Sequence, residues 1–359
     1  MCQRWTLRVW RWVAAGGVAA WAMILVPPVP AYAGNVYAHI ERADWSPKVH
    51  GIPERVYVPN SESGTVTEID PHTFRIIRTF ETGYYDQHVT PGWSLRRLYV
   101  DDTHANALTE IDVRTGLPTR RIATPSPYNL YFTPDGRTAI VVAEELQRLD
   151  FYGRRTWKLR GSVSIPSPGP DHLDFSASGR SFLISCEYSG VVYRVNVAQR
   201  RITGRVAVGG LPIDVKLGPQ GHLYYVANQG LGGVSVISAG TLRVIHFIPT
   251  GAGAHGMAIG RSGRRLYVSN RLAGSISAIS FRTGRVVKTW DVGGSPDMLQ
   301  VSPDGGRLWA SNRFDNTVSV INTRTGGVVA RIPVGASPHG LAFFPQPGRY
   351  SLGHNGVYR

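Results

Sequence analysis

The sequence predicts an all-β fold, a seven-bladed β-propeller built from four-stranded antiparallel blades, and three observations carry that expectation. A strand-like pentapeptide closing on a polar residue recurs seven times: VYVPN at Asn60, LYVDD at Asp102, IVVAE at Glu144, LISCE at Glu187, YYVAN at Asn228, LYVSN at Asn270 and LWASN at Asn312. Successive copies are 42, 42, 43, 41, 42 and 42 residues apart, the length of one blade. The ends of the array are complementary. The first copy begins at its second strand, near Arg55, whereas residues 337–345 (SPHGLAFFP) form a first strand with no partner after it. Pairing the two completes the seventh blade, closes the ring and leaves no open sheet edge.

Every copy has the same internal grammar. From Ser295 to Ala336, DMLQVS is a first strand, PDGG a turn, RLWAS the second strand and NRFDN a longer connection. TVSVI is the third strand, NTRTGG a turn and VVARIPV the fourth. Glycine-bearing turns return at equal offsets, as at Asp135-Gly136, Ser178-Gly179, Ser262-Gly263, Thr283-Gly284 and Thr325-Gly326. No helical periodicity interrupts them. After the last turn, GRYSLGHN weakly resembles a further second strand, with His354 falling 42 residues after Asn312. An incomplete eighth blade is therefore the alternative to seven.

Outside the array, residues 1–33 read as a secretory signal. Arg4, Arg8 and Arg11 precede the apolar run WVAAGGVAAWAMILV, and Ala31-Tyr32-Ala33 supplies a small-residue cleavage site. The mature chain is expected to be exported, as a secreted, periplasmic or envelope-associated protein with no transmembrane domain after cleavage. Residues 34–54 then form an N-terminal extension, 55–345 the propeller and 346–359 a C-terminal tail. With Cys2 in the signal, Cys186 has no partner, so packing alone must stabilise the fold.

Lys and Arg total 39 against 24 Asp and Glu, a net charge of +15 that becomes +12 without the three signal arginines. The arginines are dispersed, and no run of five like charges occurs, so nucleic acid is not an expected partner. A small molecule, a protein or an anionic cell-envelope polymer is.

YVPN, YVAN, YVSN and WASN, with NTVSVINTRTGGVVARIPVGASPHGLAF, resemble the YVTN-type repeats of secreted YncE-like propellers over residues 55–345. The resemblance implies the fold. For function it implies a range, because similar propellers include surface-layer and adhesion-associated proteins, phosphogluconolactonase-type lactonases and the haem-d1 domain of nitrite reductases. Blades three and four depart from the pattern, lacking the closing Asn.

Topology places the candidate site. In an up-down blade, the start of the first strand lies beside the end of the second, at one mouth of the axial channel. The first strands open with Tyr85-Asp86, Tyr128-Asn129, Asp171-His172, Asp214, His255, Asp297 and His339. These candidate ligand-binding residues also have an ordinary role available, capping turns through backbone hydrogen bonds. A metal site would draw on His255, Asp297 and His339 from successive blades. Lactone hydrolysis would use Asp171, His172, Glu144 or Glu187 as base, with Arg271 or Arg313 polarising the carbonyl. No cofactor motif is evident, and covalent c-type haem is excluded by the absence of C-x-x-C-H, whereas a bound metal ion or non-covalent cofactor stays open. The expected role is a binding scaffold acting through this mouth. The alternative is a lactonase-like hydrolase or a metal- or haem-dependent enzyme using the same place.

Overall fold

The computed structural model describes residues 34–354 and 358–359. The secretory-signal reading of residues 1–33 lies outside the described residues. Seven four-stranded antiparallel sheets make up the ring. Six are continuous in sequence: blade 2 (86–123), blade 3 (129–164), blade 4 (170–207), blade 5 (212–249), blade 6 (254–291) and blade 7 (296–333). Blade 1 combines Arg55–Asn60, Thr65–Ile69 and Ile76–Glu81 with the C-terminal strand Ala342–Phe344. There Arg55 pairs with Phe344, Val56 with Phe343 and Tyr57 with Ala342, the closure expected from the sequence.

Burial explains the strand sequences. Second strands such as Arg265–Asn270 and Arg307–Asn312 are sandwiched between neighbouring blades and buried on both faces, so they read as nearly continuous apolar runs. Fourth strands such as Ile76–Glu81 and Pro118–Ala123 form the outer wall and are largely exposed, which is why arginines and threonines populate them. Buried apolar side chains fill the gaps between blades, with Trp309, Val58 and Phe343 packed across the closing seam.

The N-terminal extension and the C-terminal tail strap one face of the ring. The Val36 amide donates to Pro219 O at 2.8 Å, and the Tyr37 hydroxyl to Leu217 O at 2.7 Å. Gly348 N donates to Asp44 O at 2.8 Å, so extension and tail also hold each other. Phe132 N donates to Leu352 O at 2.9 Å, and the Arg359 guanidinium reaches Asp174 at 3.3 Å and Phe175 O at 3.0 Å. The anchors on the blades, Leu217, Pro219, Phe132, Asp174 and Phe175, lie at or just past the far ends of first strands, opposite the mouth. The tail thus lies across one end of the channel, and among the described residues it builds no eighth blade.

Candidate functional site

In five blades the ladder between first and second strands slips where the first strand begins: Asp86/Val89, Pro170/Leu173, Pro212/Val215, Ala254/Met257 and Pro296/Leu299. Two consecutive residues per blade escape the regular pairing, and such a bulge re-aims side chains. This is why neighbours such as Asp171 and His172 are both buried. Serines satisfy the released amides: Ser185 Oγ accepts from His172 N at 3.2 Å, Ser269 Oγ from Gly256 N at 2.8 Å and Ser311 Oγ from Met298 N at 3.2 Å. The serine before the closing Asn of LYVSN and LWASN is there for the bulge.

Deep in the channel, histidines from separate elements converge. The His88 ring centroid lies 3.7 Å from that of His354, 4.6 Å from His339 and 5.3 Å from His172. His172 Nε2 is 2.9 Å from His354 Nε2, and the Asp171 carboxyl lies against His172 Nδ1. Neither ring nitrogen of His88 has a hydrogen-bond partner among the described residues. Two glycines make this crowding feasible. A Cβ on Gly340 would lie 1.7 Å from His88 Nδ1, and one on Gly353 would lie 2.4 Å from Leu130 O at a φ of +116°. Burial, then the neighbouring His354, His339 and His172, hold His88 well below the ordinary histidine range. Burial pulls His172 down as well, but the adjoining Asp171 outweighs it and raises this imidazole.

On the opposite arc, Asp297 takes hydrogen bonds from His339 and Arg271, with His255 close beside it. His339 Nδ1 stands 2.6 Å from its Oδ2, while His255 Nδ1 at 3.1 Å and Arg271 Nη1 at 3.0 Å approach Oδ1. Burial pushes the Asp297 carboxyl up, yet His255, Arg271 and His339 together hold it well below the usual carboxylate range. Burial keeps both imidazoles neutral, driving His255 far down and His339 to about 4. His255, Asp297 and His339 therefore do meet, as a network in which both carboxylate oxygens are engaged.

Strand pairing corrects one equivalence drawn from the repeat. Asn60, Asp102, Ala143, Cys186, Asn228, Asn270 and Asn312 each oppose the first residue of their blade's third strand. Glu144 and Glu187 thus stand one position beyond the closing Asn, level with Ser61, Thr103, Gln229, Arg271 and Arg313. The same repeat position carries acids on blades 3 and 4 and arginines on blades 6 and 7. Burial, then Asp171, raises Glu144 to about 8 and Glu187 to about 7, with the Tyr188 phenol drawing both back. Arg271 packs over Phe314 at 5.4 Å, and Arg313 Nη1 lies 3.9 Å from Asp297. The mouth is electrically two-sided.

Other candidates have structural partners. Asn129 Nδ2 donates to Asp171 O at 3.1 Å. Asp214 binds Lys216 Nζ at 2.8 Å and Met257 N at 2.8 Å. Asp86 takes the Thr82 hydroxyl and pairs with Asp102. The closing amides brace their own blades, as where Asn270 Nδ2 donates to Ser275 and Ser277, both at 3.1 Å. The sequence reading passed over His88, although it lies 84 residues, two periods, before His172 in YDQHV. For His354 the sequence offers only its spacing, 42 residues after Asn312.

Solved structures share this architecture at identities that speak for the fold alone. The periplasmic gluconolactonase PpgL of Pseudomonas aeruginosa is 19% identical with a TM-score of 0.68, over 82% of this chain and 99% of that one. A putative 6-phosphogluconolactonase from Bacteroides uniformis is 18% identical with a TM-score of 0.66, over 81% and 99%. The dihydro-haem d1 dehydrogenase NirN, solved in complex with DHE, is 14% identical with a TM-score of 0.63, over 87% and 80%. No curated protein matches the chain. Residues 13–347 match the model of the YNCE-like beta-propellers, and the chain belongs to that family.

Proposed function

We propose that this chain is an exported binding propeller whose open mouth takes a small organic acid. The observation behind this reading is the single repeat position that places Arg271 and Arg313 on one arc and Glu144 and Glu187 on the other. Guanidinium groups recognise a carboxylate through charge-assisted, often paired hydrogen bonds. Protonated Glu144 and Glu187, with Tyr188 beside them, offer donors and acceptors to hydroxyl groups. A hydroxylated acid such as a sugar acid matches both arcs, and the likeness to two proteins described as lactonases is in keeping with it.

Calorimetry with gluconate, related hydroxy acids and neutral sugars tests the reading. Acids bind and neutral sugars do not, and Arg271→Gln with Arg313→Gln weakens acid binding at least tenfold, roughly the worth of one charged hydrogen bond. Equal affinity in wild type and double variant would overturn it. Export predicts that protein recovered outside the cytoplasm begins at Gly34.

A second reading, lactone hydrolysis, is favoured by Glu187 at about 7, poised for proton transfer near neutral pH. It requires turnover of a sugar-acid lactone that Glu187→Gln abolishes, and a panel without turnover sinks it.

A further inference from the structure

We propose that His88, His172 and His354 form a binding site for one divalent late first-row transition ion, zinc or copper, in the channel beneath the mouth. One ligand nitrogen from each lies within 4.8 Å of the others, and all three side chains are buried. Nitrogens around a zinc at about 2.0–2.1 Å stand about 3.3–3.4 Å apart when tetrahedral, so small ring rotations suffice. The 2.9 Å between His172 Nε2 and His354 Nε2 sits just inside that spacing.

Three features separate this cluster from an ordinary buried hydrogen-bond network. First, both nitrogens of fully buried His88 are unpartnered among the described residues, a deficit that a folded protein seldom leaves without a ligand. Second, Asp171 lies against His172 Nδ1, the carboxylate–histidine arrangement that frees Nε2 for a metal and orients the ring. Asp297 does the same for His339, whose buried Nε2 has no partner and whose ring lies 4.6 Å from that of His88, beside the triad. Third, Gly340 leaves room for the His88 ring, and Gly353 lets the tail that carries His354 pass against the Leu130–Tyr131 backbone. Neutral imidazoles select late transition ions over calcium or magnesium, which require oxygen ligands. The rings pack too closely, at 3.7–5.3 Å between centroids, to admit a planar macrocycle among them.

His354 arrives on the tail and the other two on blades 2 and 4, so the ion would also pin the tail into the closed end of the channel.

The test uses chelator-stripped full-length protein, titrated with Zn2+ and separately Cu2+ under native mass spectrometry and calorimetry. One ion binds per chain, and with copper the paramagnetic resonance spectrum carries nitrogen hyperfine structure. His354→Gln and His88→Gln each weaken binding about 100-fold or more, while circular dichroism confirms an intact propeller. His354→Gln alters no blade strand, so it stays informative if His88→Gln misfolds. The Arg271→Gln, Arg313→Gln protein binds metal as wild type does, which separates this site from acid recognition at the mouth. Absence of a stoichiometric ion in stripped and reloaded protein, or unchanged affinity in His354→Gln, would overturn the proposal.

Discussion

His339 Nδ1 lies 2.6 Å from Asp297 Oδ2, and Arg271 Nη1 lies 3.0 Å from the other oxygen of the same buried carboxylate. His255, Arg271 and His339 together keep Asp297 ionised, and of the three only the Arg271 guanidinium carries a permanent charge. Asp297→Asn leaves that guanidinium buried without a counter-charge, and breaking such a pair costs about 3–5 kcal/mol. Chemical denaturation should register a loss of this size. The folded carboxyl titrates below its unfolded value, so its contribution is complete above about pH 4 and disappears on acidification. The variant should lose that acid limb.

Asp102 predicts the opposite slope. Burial, then the adjoining Asp86, raises it to about 9, so stability is greatest below the unfolded value near pH 4 and declines as pH rises through about 9. Blades 1, 6 and 7 carry Asn at this position, donating to hydroxyls five and seven residues on. Thr109 is the corresponding hydroxyl here, 2.5 Å from Asp102. Asp102→Asn should therefore raise stability at pH 8–9 by about 1 kcal/mol or more, roughly 2 °C in Tm, and flatten the alkaline decline. An unchanged Tm-against-pH curve would contradict this.

At the mouth, Glu144 and Glu187 share a field set by Asp171, Tyr188, His172 and Arg271. With values of about 8 and 7, both are largely neutral at pH 6 and charged by pH 9. An anionic ligand held by Arg271 and Arg313 should lose affinity over that interval, by about tenfold for each new negative charge nearby. Calorimetry from pH 6 to 9 measures this, and Glu144→Gln with Glu187→Gln should remove most of the dependence.

Gly353 is the tail's point of closest approach. A Cβ there meets Leu130 O at 2.4 Å and Tyr131 Cα at 2.6 Å, in a backbone conformation that side chains resist. Gly353→Ala should lift the tail while the blades persist. The reporter is the Phe132 amide, which donates to Leu352 O and should exchange with solvent at least tenfold faster. Amides in blade 6, such as Val268, should keep their protection.

The blades were legible in the sequence because each repeats one burial pattern seven times, and repetition averages out local exceptions. Closure through Arg55 and Phe344 was legible because the array lacked one strand at one end and carried it at the other. The site was legible by face and only partly by residue. His255, Asp297, His339 and His172 are where topology put them. Asp86 occupies the paired position just before the bulge, and the residue of that strand that reaches the histidine cluster is His88, two residues later. Glu144 and Glu187 were aligned with the closing Asn because their letters fell at the repeat spacing, whereas pairing assigns that place to Ala143 and Cys186. His354 falls at the repeat spacing yet belongs to no blade, since the tail's path under the ring is set by Gly353 and Arg359.

The pairing of Arg55–Asn60 with Ala342–Phe344 also bears on how the molecule is made. The inner edge of the first blade to be synthesised has no neighbour until the last strand arrives, nearly a full chain length later. Contacts so distant in sequence form slowly, and an open strand edge meanwhile invites pairing with other chains. Shortening the chain by its last twenty residues would thus remove more than a strap. It would leave a permanent sticky edge, and the expected product is an aggregating propeller rather than a trimmed one.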